Sequence, residues 1–209
     1  MTQGGAWLCA ALALPLVMLL ACLSLRLRAS MWRGLVVAPL PALCAALFAS
    51  GASLKLPPLL LGISLFLDTP RAFLLGAASL LWIAAGWYGA AWLREQSDPA
   101  RFTVWWLLTL VGSIGVFVAA DLVGFYLTFT LVSLAAYGLI IDDEKPKTRQ
   151  IGLIYVAFAI FGEAFLLLAF VMLAVAAPGP QVLIRDVVVA LPASPWPNAT
   201  LVLLVLGSA

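Results

Sequence analysis

The chain has 209 residues, of which 65% are hydrophobic and only 10% are charged, and its formal net charge is +2. Soluble domains carry about 25% charged residues, so this composition excludes a water-soluble domain and predicts a protein embedded in a lipid bilayer. The chain also has no histidine. Ser–His–Asp, Cys–His and zinc-site chemistry are therefore excluded within it, and nothing in the charge pattern indicates nucleic-acid binding.

Apolar runs near membrane-spanning length predict an all-α, polytopic membrane helix bundle that forms a single transmembrane domain over residues 1–209. Six runs are long enough for full transmembrane helices, whereas a truncated seventh has about a dozen residues and is too short to cross. The first run is interpreted as an uncleaved helix because no basic residue precedes it. The predicted helices cover residues 6–25, 34–52, 73–93, 102–120, 122–141, 150–176 and 198–209.

Two connecting segments have a composition that is typical of ordered structure other than long helices. Residues 55–71 contain the pair Pro57-Pro58 and Gly62, which disfavour a helix and predict an extended hairpin at the membrane surface. Residues 178–197 contain five prolines around an alternating Val-Leu-Ile core. This pattern predicts an ordered loop with short strand character.

The distribution of lysine and arginine predicts the orientation of the bundle. Eight of the 11 basic residues fall in the first, third and fifth loops, whereas Lys55, Arg71 and Arg185 fall on the other side. Cytoplasmic loops carry an excess of Lys and Arg. We therefore expect the N-terminus outside and the three charge-rich loops in the cytoplasm, in the inner (plasma) membrane of a bacterium.

Glu163 is the one ionisable residue that lies well inside a predicted helix, with apolar residues on all sides. Ionisable groups at membrane depth are costly and are functional candidates by default, and burial favours the neutral, proton-carrying form of a carboxyl. A proton relay or cation site is one interpretation of Glu163. The other is a carboxyl that pairs with a donor on a neighbouring helix and only fixes the packing.

Asp121 lies at the junction of the fourth and fifth predicted helices, and the fifth carries Tyr126, Thr130, Ser133 and Tyr137 at spacings of four, three and four residues. This spacing places the four hydroxyl groups on one face, which we expect to face other helices rather than lipid. The stripe either forms interhelical hydrogen bonds or lines a hydrated path. Asp121 either belongs to the same path or caps the helix.

From residue 61 to residue 209 the chain resembles the first part of the antiporter-like subunits of respiratory complex I, membrane-bound hydrogenases and Mrp cation/proton antiporters. Residues 62–68, Gly-Ile-Ser-Leu-Phe-Leu-Asp, resemble the glycine-to-aspartate segment before the family's third helix. Residues 121–137 resemble its most recognisable helix, and Tyr155 with the Gly162-Glu163 pair resembles the next one.

The resemblance implies a proton path through the first half of a longer subunit, built from a glutamate on helix five, lysines on later helices and intervening water. At the position of that glutamate this sequence has Thr130, which does not titrate in the useful range, so Glu163 is expected to take over as the membrane-embedded carboxylate. Residues 201–209 resemble the lysine-bearing helix, and the chain ends just before the lysine would be expected. This favours a fragment of a longer gene product over a truncated or divergent subunit.

Two functions follow as expectations. The first is a proton- or cation-translocating subunit of a complex I-like or Mrp-like assembly, with Glu163 central and with Asp121, Tyr126, Thr130, Ser133 and Tyr137 along the path. The second is a non-pumping structural or coupling subunit of a hydrogenase or inorganic-carbon-uptake complex. In either case we expect the lipid bilayer and other membrane subunits as partners and no catalytic residue, metal, cofactor or redox site, so that any NADH:quinone oxidoreductase activity would belong to partner subunits.

Overall fold

The computed structural model is a bundle of α-helices with one short β-hairpin. It describes residues 3–208 apart from 25–26, 28–29, 56–62, 96–98, 142–145 and 177–181. The elements are α1 (Gln3–Ala21), α2 (Leu40–Phe48), β1 (Ser53–Lys55), β2 (Ser64–Phe66), α3 (Thr69–Trp92), α4 (Pro99–Val118), α5 (Leu122–Ile140), α6 (Pro146–Ala176), α7 (Ile184–Ala190) and α8 (Pro197–Ser208). Short 3-10 turns cover Met31–Gly34, Leu93–Glu95 and Leu191–Ala193.

The described residues contain five helices that are long and apolar enough to cross a membrane, namely α1, α3, α4, α5 and α6. The all-α membrane bundle is therefore as predicted. Because α4 and α5 run antiparallel, as do α5 and α6, the bundle has two ends. We call the end with β1, β2 and the start of α5 the hairpin end, and the end where α3 stops and α4 begins the charge-rich end.

The second predicted helix, over residues 34–52, is wrong in its length, because the α-helix there has only 9 residues, Leu40–Phe48. Pro39 has no backbone N–H to donate and restricts the residue before it, so the helix begins after it. The broken segment from Met31 to Phe48 nevertheless lies along α1. A methyl group added to Gly34 would lie 2.8 Å from Cε of Met18, and one added to Gly4 would lie 2.8 Å from Cβ of Ala52.

The predicted surface hairpin is confirmed in outline, since β1 and β2 pair antiparallel with Lys55 opposite Ser64. The Pro57-Pro58 pair and Gly62 lie outside the described residues. After β2 the carboxylate of Asp68 accepts a hydrogen bond of 2.9 Å from the backbone N–H of Arg71. This cap starts α3 at Thr69, which is earlier than the predicted start at residue 73.

Of the segment 178–197, residues 182–197 are described, and there the predicted strand character is present at one residue only. Leu183 forms an isolated antiparallel bridge with Asp121, and the chain then continues as the 7-residue helix α7. A half-buried strand would bury alternate side chains, whereas here Val187 is 1% exposed and Val188 and Val189 are 63% and 77% exposed. Burial of a single valine per turn is compatible with a helix. In α7 this packing overrides the β-propensity of the valine run.

Helix α4 occupies the centre of the bundle, with 56% of its membrane-length window buried against 17–28% for the other four long helices. Two glycines of α4, Gly112 and Gly115, contact α5. A methyl group on Gly112 would lie 2.9 Å from the carbonyl oxygen of Thr128 and 2.9 Å from the amide nitrogen of Val132. On the outer faces, large apolar side chains are exposed, as expected for surfaces that face lipid.

Candidate functional site

Glu163 lies near the middle of the 31-residue helix α6 and is 9% exposed. Its Oε1 atom is buried and has no hydrogen-bond partner among the described residues. A buried polar atom without a partner costs about 1–3 kcal/mol, and more where the group is charged. The packing interpretation required a donor on a neighbouring helix, and the described residues provide none for Oε1.

The carboxyl lines a cavity of about 530 Å³ that is bounded by α5, α6 and the last turn of α8. Among the described residues, three others with hydroxyl groups line it, namely Ser133, Tyr155 and Ser208, and phenylalanine side chains form much of the remaining wall. The site therefore combines one carboxyl with a few hydroxyl groups in an apolar surround.

Tyr155 connects α6 to α5 inside this cavity. Its hydroxyl donates a hydrogen bond of 3.3 Å to the carbonyl oxygen of Ser133. Tyr155 lies eight residues before Glu163 on α6, or about 12 Å along the helix axis, toward the charge-rich end. The cavity thus extends from the buried carboxyl toward the charge-rich end of the bundle.

The polar stripe on α5 faces α6, in agreement with the prediction that it would face another helix. Near one end, the rings of Tyr126 and Phe170 have centroids 6.3 Å apart. Toward the other end, a methyl group on Gly152 of α6 would lie 3.0 Å from the Tyr137 ring. Because the two helices are antiparallel, Thr130 lies between these contacts, on the face of α5 that is turned toward α6.

The hydroxyl of Thr130 is buried and has no hydrogen-bond partner among the described residues, which is also true of Oε1 of Glu163. The contacts of Tyr126 with Phe170 and of Ser133 with Tyr155 place Thr130 opposite the Gly162-Glu163 pair. One helix interface therefore holds two unpartnered buried oxygen atoms at about the same depth. Buried groups of this kind are ordinarily satisfied by water when the site has room for it.

The last turn of α8 reaches the cavity through a contact between two glycines. A methyl group on Gly207 would lie 2.6 Å from the amide nitrogen of Leu166 and 2.9 Å from the carbonyl oxygen of Gly162. The backbones of α6 and α8 therefore touch directly beside Glu163. The sequence analysis did not place Tyr155 or α8 in the site. Gly162 and Gly207, both in apolar helices, are the signal that could have indicated this close helix packing.

Asp121 is not brought to this cavity. It is 6% exposed, its Oδ1 accepts a hydrogen bond of 2.7 Å from the N–H of Gly124, and its Oδ2 accepts one of 2.6 Å from the N–H of Ser64. The first bond caps α5 and the second ties β2 to it. Asp121 also lies eight residues, or about 12 Å along α5, before Phe129, which lines the cavity.

The residues around Asp121 form the connection between α4 and α5, and they are paired on both sides. Ala120 donates its N–H to the carbonyl of Ser64 at 2.8 Å and accepts from the N–H of Ile184 at 2.9 Å. The guanidinium of Arg71 donates to the carbonyl of Ala119 at 2.7 Å. The hairpin end is thus held together by backbone hydrogen bonds among three segments that are distant in sequence.

Comparison with known proteins agrees with this architecture. Residues 119–207, which span α5, α6, α7 and all but the last residue of α8, match the family model described as NADH:quinone oxidoreductase/Mrp antiporter, transmembrane. The chain is also similar to one solved as part of the membrane-bound sulfane sulfur reductase, an archaeal respiratory membrane complex, with a TM-score of 0.74 and 16% identity.

That alignment covers 96% of this chain but 43% of the other, so the chain spans less than half the length of this structural relative. At 16% identity the likeness shows the fold. No curated protein matches the chain. The helices that surround Glu163 lie within the matched region, so this part of the chain is similar to the antiporter-like membrane subunits of NADH:quinone oxidoreductases and Mrp antiporters.

Proposed function

We propose that the chain is a proton-translocating membrane subunit and that Glu163 is the group that takes up and releases the proton. The observation that carries this proposal is the unpartnered Oε1 of a 9%-exposed carboxyl that lines a cavity at membrane depth. An intramembrane carboxyl is retained at a cost, and proton relays are a common use of such a group.

A path from the charge-rich end to Glu163 is supported by the order of the polar groups. Tyr155 and Ser133 line the same cavity as the carboxyl and lie between it and the charge-rich end. A cavity of about 530 Å³ is large enough for several water molecules, each of which occupies about 30 Å³ in the liquid. Water and hydroxyl groups would then transfer the proton along the α5–α6 interface, and the hydroxyl of Thr130 would bind water beside the carboxyl.

A proton fits this site better than a divalent metal cation does. Ca²⁺ requires about six to eight oxygen ligands, and Mg²⁺ requires near-octahedral geometry. The cavity supplies one carboxyl, and the described residues hold no cluster of three acidic, cysteine or histidine side chains. One carboxyl among hydroxyl groups suffices for a proton.

The same proposal includes six crossings with the N-terminus outside. The broken segment Met31–Phe48 would count as the second crossing, because it lies antiparallel to α1 between the contacts of Gly34 and Gly4. The excess of eight basic residues over three at the two ends supports placing the charge-rich end in the cytoplasm.

The test is proton transport by the full chain in its native membrane complex, reconstituted in vesicles with a pH-sensitive dye. Glu163→Gln keeps the shape and removes the proton-carrying group, so we expect the initial rate to fall about tenfold or more. Glu163→Asp should retain part of the rate. Asp186→Asn is the matched control, because Asp186 is exposed on α7, and it should leave the rate unchanged.

An unchanged rate in Glu163→Gln would refute the proposal. It would instead favour the non-pumping alternative, in which Thr130 at the position of the family glutamate marks a coupling subunit and Glu163 only contributes to packing.

A further inference from the structure

A second cavity, of about 850 Å³, lies at the charge-rich end, far from Glu163. It is formed between the 3-10 turn Met31–Gly34 and the end of α3, and its polar or aromatic lining consists of Trp32, Arg33, Trp87 and Arg94. Arg33 and Arg94 are both exposed, and Trp87 is 71% exposed. We call this cavity the arginine groove.

The groove is closed on one side, because the chain before α2 contacts the backbone of α3. A methyl group on Gly86 would lie 2.8 Å from the carbonyl oxygen of Leu35, and Leu35 itself is 0% exposed. Only glycine permits this approach. It fixes the 3-10 turn against α3, so that an arginine and a tryptophan of one segment lie beside an arginine and a tryptophan of the other.

The described side chains give the groove a positive charge. Among the described residues no acidic side chain lines it, and none forms an ion pair with Arg33 or Arg94. Glu95 follows Arg94 but lies outside the lining. The guanidinium carbon of Arg33 lies 5.3 Å from the centroid of the Trp32 ring, a cation–π distance that restrains the side chain while leaving its N–H groups available.

An apolar surface continues from the groove toward the middle of the bilayer. Leu80, Ala84, Trp87 and Ala91 recur at spacings of four, three and four residues on α3, which puts them on one face, and all four are exposed. The groove therefore joins two arginines at the membrane surface to a lipid-facing stripe. A soluble anion would use the arginines alone, whereas a phospholipid would use both parts.

We propose that the arginine groove binds the phosphate headgroup of an anionic phospholipid, with an acyl chain lying along the α3 stripe. Arginine matches phosphate geometry through paired N–H donors, and tryptophan rings prefer the headgroup level of a bilayer. The cytoplasmic leaflet, in which the positive-inside pattern places this end, is the one rich in anionic lipids.

The test is binding of brominated phosphatidylglycerol to the purified full chain in phosphatidylcholine–detergent micelles, followed by quenching of tryptophan fluorescence. We expect saturable quenching at a low mole fraction of phosphatidylglycerol. The double change Arg33→Gln with Arg94→Gln should weaken it about 25-fold, because each basic residue near a membrane surface contributes about fivefold. The charge-conserving pair Arg33→Lys with Arg94→Lys should retain most of the affinity.

Arg185→Gln is the matched control, since it removes the same charge from an exposed position at the hairpin end. It should leave the affinity unchanged. Equal affinity of the double Gln variant and the wild type would overturn the proposal, and so would an equal loss in Arg185→Gln. Competition by millimolar inorganic phosphate as strong as that by phosphatidylglycerol would also overturn it, because the site would then recognise a free anion.

Discussion

Replacement of Asp121 with alanine is expected to lower the free energy of unfolding by about 3–5 kcal/mol, because two charge-assisted hydrogen bonds are lost and two backbone N–H groups are left buried. The carboxylate is 6% exposed and accepts from Ser64 at 2.6 Å and from Gly124 at 2.7 Å. Unfolding by sodium dodecyl sulfate in mixed micelles would measure the loss.

Asp121→Asn should give an intermediate loss. Asparagine is a good N-cap residue, but its side-chain nitrogen cannot accept the second N–H. Asp186→Ala, at an exposed position in α7, should change the stability by less than about 0.5 kcal/mol. If the alanine variants at 121 and 186 were equally stable, the two hydrogen bonds accepted by Asp121 would contribute nothing to the free energy of unfolding. Asp121 would then have to be explained by another role.

The second large effect is expected at Gly112, where a methyl group would meet α5 backbone atoms, the carbonyl oxygen of Thr128 and the amide nitrogen of Val132, at 2.9 Å each. Backbone atoms cannot rotate away as a side chain does, so α4 and α5 must separate. We expect Gly112→Ala to lower the free energy of unfolding by about 1–3 kcal/mol, the usual cost of overpacking.

Gly76→Ala on α3 is the control for this prediction. A methyl group there would lie 3.5 Å from Cβ of Ala46, an ordinary contact. Alanine is favoured over glycine within a helix by up to about 1 kcal/mol, so this variant should be slightly more stable than the wild type. The same detergent-unfolding assay should therefore give opposite signs for the two substitutions, and equal signs would show that α4 and α5 are not in backbone contact.

The long helices could be predicted from the sequence because a bilayer leaves few alternatives to an apolar run of spanning length. Thus α4, α5 and α6 lie close to their predicted bounds. The second helix and α7 could not be predicted in the same way. Pro39 delays the start of the second helix, and packing of Val187 against Leu122 and Leu173 favours the helix α7. Local periodicity shows neither effect.

The candidate site could be predicted in part. Glu163 stands out because it is a charge within an apolar helix, and the stripe on α5 follows from helical spacing. The role of Asp121 required knowledge of its partner Ser64, which is 57 residues away in sequence. Tyr155 and the end of α8 were missed because their relation to Glu163 depends on how three helices pack.

The hydrogen bonds on both sides of residues 119–121 have a mechanical consequence for the proposed proton transport. They make the hairpin end a fixed pivot for α5, a helix of 19 residues that is about 28 Å long. A rod held at one end moves farthest at the other, so any tilt of α5 against α6 widens the α5–α6 interface most at the charge-rich end. The buried carboxyl would then gain or lose contact with water from that side first, while the opposite side stays closed.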